Sequence, residues 1–261
     1  MSPYLYMDET HHPEDRMRIE KDFADYEREV SEIINGQFLT DSEVFISKET
    51  EDKLKLFFAL MGFRSERARD SFAKNVRDSN KMLYSAFQKD GDMLKLWIRN
   101  LGYLVKCRSL QEVLNHPCVD EPIKLFMRRD TFGYFGRHFS LAECRDPFEF
   151  LISDAFPTVV TGNANGILLE MYSIFPLSPK RALLSVCEGV ENVPLEERKI
   201  RERIFIKPNT VDQNKVKVAN NTLSEEETGY INNLIVNAGA NGFVSKSKEA
   251  FDLAFNITGI T

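Results

Sequence analysis

VVTGNANGILLEMY, Val159 to Tyr172, is two apolar, β-rich runs separated by Gly162-Asn163-Ala164-Asn165-Gly166. Small turn-forming residues between such runs are the signature of an antiparallel hairpin, with these five residues as its loop. A phosphate cradle is the functional alternative for a glycine-rich loop. It needs a helix whose N-terminus can hold the anion, and the sequence after Gly166 has strand character instead.

Working outward, GYFGRHFSLAEC, FEFLISD, TVVTG, GILLEMYSIF and RALLSVCEG are short runs rich in apolar, aromatic and β-branched residues. Gly, Pro, Asp and Asn punctuate them, so the stretch from about 130 to 208 reads as a small, mostly antiparallel sheet, with RIFIK as an edge strand. Within it, FLISDAFPTVV (Phe150 to Val160) carries Ser153-Asp154 followed by Pro157. Asp and Ser accept hydrogen bonds from nearby backbone N–H groups, and Pro cannot donate to a ladder. The stretch therefore predicts a corner between two strands.

The residues before 130 follow the helical period. Ile19, Phe23, Tyr26, Val30 and Ile33 share one face of a helix over about 16–34, with Asn35-Gly36 as its stop. Ser47 is placed to cap a second helix whose first turn holds Glu49, Glu51 and Asp52. That helix is read on through the residues before Gly91-Asp92. DMLKLWIRNLG forms a third helix closed by Gly102. Ser109 with Glu112 opens a short fourth, which Pro117 stops. On the far side of the sheet, Thr222 with Glu225 predicts a capping box opening LSEEETGYINNLIVNAGANG, and KSKEAFDLAFN closes the chain as a helix. The order helices, strands, helices predicts an α+β fold: a helical N-terminal half, a small central sheet, and C-terminal helices packing back on it. A single domain over 1–261 is expected. Residues 1–15 should be poorly ordered, with the helical part at about 16–128, the sheet at about 130–208 and the C-terminal helices at about 222–257.

Composition narrows the function. The chain has 261 residues, 43% hydrophobic and 28% charged, as in ordinary soluble globular proteins. A net charge of −6 disfavours bulk attraction to nucleic acid or anionic lipid. No run approaches the ~20 apolar residues of a membrane span, and the opening stretch is too acidic and broken for a signal peptide. A cytoplasmic protein is expected. Arg64, Arg67 and Arg69, and the Arg128-Arg129 pair, have acidic neighbours and read as salt-bridged helix faces. Cys107, Cys118, Cys144 and Cys187 form no C-x-x-C pair. Cys107, His116, Cys118 and Cys144 would make a Cys3His set, but without paired spacing no metal site and no cofactor is expected.

Candidate chemistry gathers on the corner. The Asp154 carboxylate beside Ser153 would sit at a pocket rim, with Arg64 and Arg181 as forks for an anionic ligand. His138, in the preceding strand, would act as acid or base near neutral pH. The other reading makes Ser153-Asp154 a structural turn and His138 a packed sheet residue. No Walker loop, H-E-x-x-H or G-x-S-x-G elbow is present.

FLISDAFPTVV followed by FPLSPKRALLSV resembles the C-terminal core of bacterial domain-of-unknown-function family 4238. The shared features are a strand ending in Ser-Asp with a nearby Pro (Ser153, Asp154, Pro157) and a later Pro176-Leu177-Ser178-Pro179 leading into an apolar strand. RIEKDFADYEREV, LFFALMGFRSERAR and GYINNLIVNAGANGFVSKS are similar to the family's helices, so the likeness spans about residues 16–247. The family's opening His-x-Val-Pro-x-x-Tyr-Leu motif has no counterpart here, and Ala155-Phe156 loosens its Ser-Asp-Asn-Pro form. The resemblance brings no reaction with it. It implies a bacterial interaction or ligand-binding protein, with a phage-defence or toxin-like role, whose partner is another protein or a small anionic ligand. The alternative is an enzyme for a phosphorylated or nucleotide-like substrate, built on Asp154, His138 and the two arginines.

Overall fold

A computed structural model of the chain describes residues 13–64, 93–124, 127–128, 138–153, 158–164, 167–186, 202–204, 214–237, 243–246, 248 and 251–252. Several expectations lie outside the described residues: those for 1–12, for the helix beyond Arg64, for the corner at 154–157, for Cys187 and for most of the closing helix. The chain divides into two compact units, one of residues 1–32 and 52–132, the other of 33–51 and 133–261.

The first unit is helical. Helix α1, Pro13–Ile33, buries Ile19, Phe23, Tyr26 and Val30 on the predicted stripe, with Ile33 half-buried. Helix α2, Lys48–Arg64, begins in the second unit. Ser47 caps it as expected, its hydroxyl accepting the Thr50 N–H at 3.0 Å. Its run Leu54–Leu60 is buried throughout, Lys55 included, which is why no amphipathic stripe marks it in the sequence. Helix α3, Met93–Leu104, seats the buried Trp97, whose Nε1–H donates to Phe63 O at 3.0 Å. It continues two residues past Gly102, the expected stop. Helix α4, Leu110–Asn115, is capped by Ser109, which accepts from Glu112 N at 3.2 Å.

The second unit holds the sheet. Asn35-Gly36 does not end α1 with a left-handed residue: the chain passes instead into a π-helical turn, Ile34–Phe38, closed by Leu39 N donating to Ile34 O at 3.1 Å. The strands are β1 Val44–Ser47, β2 His138–Cys144, β3 Ile152–Ser153, β4 Thr158–Ala164, β5 Ile167–Pro176, β6 Arg181–Val186, β7 Lys215–Leu223 and β8 Phe243–Val244. Six form one sheet in the order β1-β7-β2-β6-β5-β4, antiparallel except for β2 with β7, while β3 and β8 pair separately. The expected α+β, mostly antiparallel fold is the observed one.

Three local expectations need correction. The hairpin is tighter than read: Gly162, Asn163 and Ala164 lie in β4 opposite Leu169, Leu168 and Ile167, leaving only 165–166 between the strands. Asn-Gly is the pair that two-residue hairpin connections favour. Residues 202–204 are helical, so the strand read at RIFIK does not begin there. The edge of the sheet on that side is β1, paired to β7, and neither was read as a strand. Thr222 lies inside β7, and the capping box stands two residues later. Ser224 accepts Glu227 N at 3.3 Å and Glu227 Oε2 accepts Ser224 N at 2.8 Å, opening helix α5, Glu225–Asn237.

Helix α5 covers one face of the sheet. Its Ile231 and Ile235 join Ala142, Cys144, Ile174 and Leu184 in a buried cluster that Phe150 and Leu151 complete. Cross-strand register explains the set: Ala142 faces Ala182 and Ile174 faces Leu184, so alternate residues of β2, β6 and β5 point the same way.

Candidate functional site

The approach to the Ser153 corner is held by a residue the sequence reading passed over. Asn232, on α5 and fully buried, donates through Nδ2 to Glu149 O and accepts Leu151 N–H through Oδ1, both at 2.9 Å. An amide side chain matches one peptide donor and one acceptor at once, so it completes the backbone pairing of a segment outside the main sheet. Phe150 N donates to Pro179 O at 2.8 Å, which adds a further tie. Beyond them, Ile152 and Ser153 pair with Val244 and Phe243, and the Ser153 side chain is buried. Glu149, buried beside them, accepts from Ser245 Oγ at 3.4 Å. Asp154 is outside the described residues.

Pro176-Leu177-Ser178-Pro179 is the connection from β5 to β6. The Ser178 hydroxyl accepts Lys180 N at 3.2 Å and Arg181 N at 3.0 Å, while Leu177 N donates to Arg181 O at 2.8 Å. These are turn-forming bonds of the kind serine favours. Cys144, at the end of β2, tucks its thiol toward Phe148 O at 3.2 Å, the same carbonyl that receives the Lys180 ammonium.

Both candidate arginines are engaged internally. Arg64 belongs to the first unit, where Nη1 donates to Glu27 at 2.5 Å and Nη2 to Glu20 at 3.2 Å, with the guanidinium 4.3 Å above the Phe23 ring. Burial raises the Glu20 carboxyl, and the Arg64 charge offsets part of that rise. Arg181 belongs to the second unit. Its Nη1 donates to Phe38 O at 2.7 Å and Asp41 O at 3.1 Å, and its Nη2 lies 3.5 Å from Glu143. It therefore closes the segment after the π-turn onto the sheet. His138 opens β2 with its backbone opposite Val186. Ser153, His138 and Arg181 thus share one unit and Arg64 lies in the other.

A second arginine centre escaped the sequence reading. Arg108 forks onto Glu29, with Nη2 to Oε1 at 2.8 Å and Nε to Oε2 at 3.0 Å. Its Nη1 donates to Val105 O and Cys107 O, and its plane lies 4.0 Å over the Tyr26 ring. The Arg108 hydrogen bonds hold Glu29 below the usual carboxylate range, and Glu29 in turn raises Arg108. Seventy-nine residues separate the two, so no local spacing announces the pair. Cys107 and Cys144 are free thiols pushed up to about 11 by burial, and Cys118 is exposed. Among the described residues no group of three or more His, Cys, Asp or Glu side chains could hold a metal ion. No helix among them is long and apolar enough to cross a membrane.

The class that emerges is an α+β protein with a helical unit and a mixed-sheet unit, in which the half-buried Arg64 and Arg181 are hydrogen-bonded to groups of their own unit. The family described as Protein of unknown function (DUF4238) matches residues 1–249, and the chain belongs to that family. No curated protein and no solved structure matches it.

Proposed function

We propose that this is a bacterial cytoplasmic protein that acts by binding, either to another protein or to a small ligand, rather than by catalysis at the Ser153-Asp154 corner. The observation that supports this most is the engagement of Arg64 and Arg181. Each guanidinium already holds two acceptors of the fold, so turning it onto a substrate anion would give up those bonds, and for Arg181 it would leave the buried Phe38 carbonyl without that donor. Thermal unfolding with and without inorganic pyrophosphate tests it. The expected result is an unchanged midpoint in pyrophosphate, with lowered midpoints for Arg64→Ala and Arg181→Ala. A pyrophosphate-induced rise that Arg181→Ala abolishes would make Arg181 a fork for a small anionic ligand, and pyrophosphate hydrolysis that Asp154→Asn abolishes would overturn the reading.

Family resemblance supports a phage-defence or toxin-like setting for this binding. Plating of phages on cells with and without the gene, together with growth on its induction, tests that role. An unchanged plating efficiency and unimpaired growth would count against it.

One observation favours the enzyme reading. Asn232 fixes the backbone three residues before Asp154, and functional groups are more accurate on such pinned segments. In that reading Asp154 and His138 carry proton transfer, Ser153 holds ligand, and the substrate is phosphorylated or nucleotide-like. Asp154→Asn, which keeps the shape and removes the charge, would then abolish turnover of such substrates without changing stability.

A further inference from the structure

Between the end of α3 and the exit of α4 the first unit has a solvent-open hollow of about 510 Å³. It is lined by Lys106, Gln111, Glu112, Asn115, His116 and Pro117, with Cys107 and Ser109. We propose that this hollow binds a small zwitterionic solute of the amino acid or short peptide class. The inference rests on the reading of the protein as a binder and names a ligand class and a place for it.

The rim is pre-formed. Arg108, held by Glu29, clamps the turn below the hollow through the carbonyls of Val105 and Cys107, and Cys107 N donates to Leu104 O at 3.0 Å. These bonds fix the backbone of the turn, so little backbone entropy is left to lose there when a ligand arrives. On the far wall the His116 ring stacks on Tyr103, centroids 5.3 Å apart. Its Nδ1 accepts Cys118 N–H at 3.1 Å. A nitrogen that accepts carries no proton, so in the neutral ring the hydrogen sits on Nε2, and the ring offers a donor there.

The charges select the ligand. Lys106 is exposed and, among the described residues, lies 3.8 Å from Asp22. Glu112 uses Oε2 to accept Arg108 N–H at 2.8 Å. A simple anion would be repelled by Glu112 and a simple cation by Lys106. A molecule carrying one charge of each sign meets both favourably. Gln111 and Asn115 stand four apart on α4, so their amides share a face and supply a donor and an acceptor for the neutral middle of such a molecule.

The test is an NMR titration of the full chain, following the His116 ring and the side-chain amides of Gln111 and Asn115. The probes are glycylglycine, N-acetylglycine, glycinamide and inorganic phosphate. Expected is a saturable shift with glycylglycine, weakened about tenfold or more when either charge is removed from the probe, as for loss of one charge-assisted hydrogen bond. Lys106→Met should weaken glycylglycine binding similarly and Lys106→Arg should restore it. Phosphate or glycinamide binding as well as glycylglycine, or no saturable shift from any probe, would overturn the proposal. Saturable shifts confined to residues around Ser153 and Val244 would also sink it, while leaving the protein a binder.

Discussion

Asn232 concentrates more structural consequence than any residue the sequence reading singled out. It sits among the apolar residues of α5, where a buried amide is costly unless both ends are bonded. Its two bonds to Glu149 O and Leu151 N meet that condition and position the segment leading to Ser153. Asn232→Leu keeps the volume and strands one buried donor and one buried acceptor, so it should cost about 3 kcal/mol in urea unfolding. Asn232→Asp keeps only an acceptor and should cost a comparable amount. The buried thiols give a second prediction at this scale. Cys107 and Cys144 stand near 11, against an ordinary 9, because burial disfavours the thiolate. Between these values the unfolded chain has released the protons that the folded chain still binds. Stability must therefore fall as pH rises from about 9 to about 11. The decline should shrink in the Cys107→Ala/Cys144→Ala double variant, measured by chemical unfolding across that range. At pH 8, peptide mapping after brief iodoacetamide treatment should find Cys118 modified and these two protected.

At the scale of elements, the caps show what sequence can and cannot place. Ser47 and Ser109 were legible because each stands directly before its run of helical residues, even though Ser47 is also the last residue of β1. Thr222-x-x-Glu225 and Ser224-x-x-Glu227 both satisfy the capping-box spacing, and nothing local chooses between them. The choice is made by β7, whose register with β2 runs through Thr222 to Leu223 opposite Cys144, so the helix cannot begin until Ser224. Ser224→Ala should accordingly cost about 1 kcal/mol and Thr222→Ala well under that, as measured by denaturant midpoints. The same tertiary decision hid β1 and β7. Val44–Ser47 is four residues long, and Lys215–Leu223 mixes Lys and Asn into its alternation because it has an exposed stretch near the sheet edge. The strands β2, β5 and β6, which lie inside the strand order rather than at its edges, announced themselves by composition. The candidate site was less legible still. Arg64 and Arg181 were chosen for their chemistry, whereas their partners, Glu20 and Glu27 in one case and Phe38 and Asp41 in the other, lie between 37 and 143 residues away. Separations of that size are beyond any pattern of local spacing.

For the molecule as a whole, the question is whether two compact units unfold as one. The sequence contains a single tryptophan, and Trp97 lies buried in the first unit with its indole N–H bonded to Phe63 O. Its fluorescence therefore reports on that unit alone. The six-stranded sheet belongs to the second and dominates the β contribution to far-ultraviolet circular dichroism. The unit boundary falls between Glu51 and Asp52, inside α2, so neither unit can lose its share of that helix without opening hydrogen bonds that begin in the other's residues. Helix formation is cooperative, and breaking a helix in its second turn forfeits the capped first turn. We therefore expect coincident thermal transitions by the two probes, in keeping with one cooperative domain. A proline at Asp52, which removes a bond in the middle of this shared stretch, should separate them. Two resolved transitions in the unmodified chain would instead show that α2 is too weak a link to couple the units.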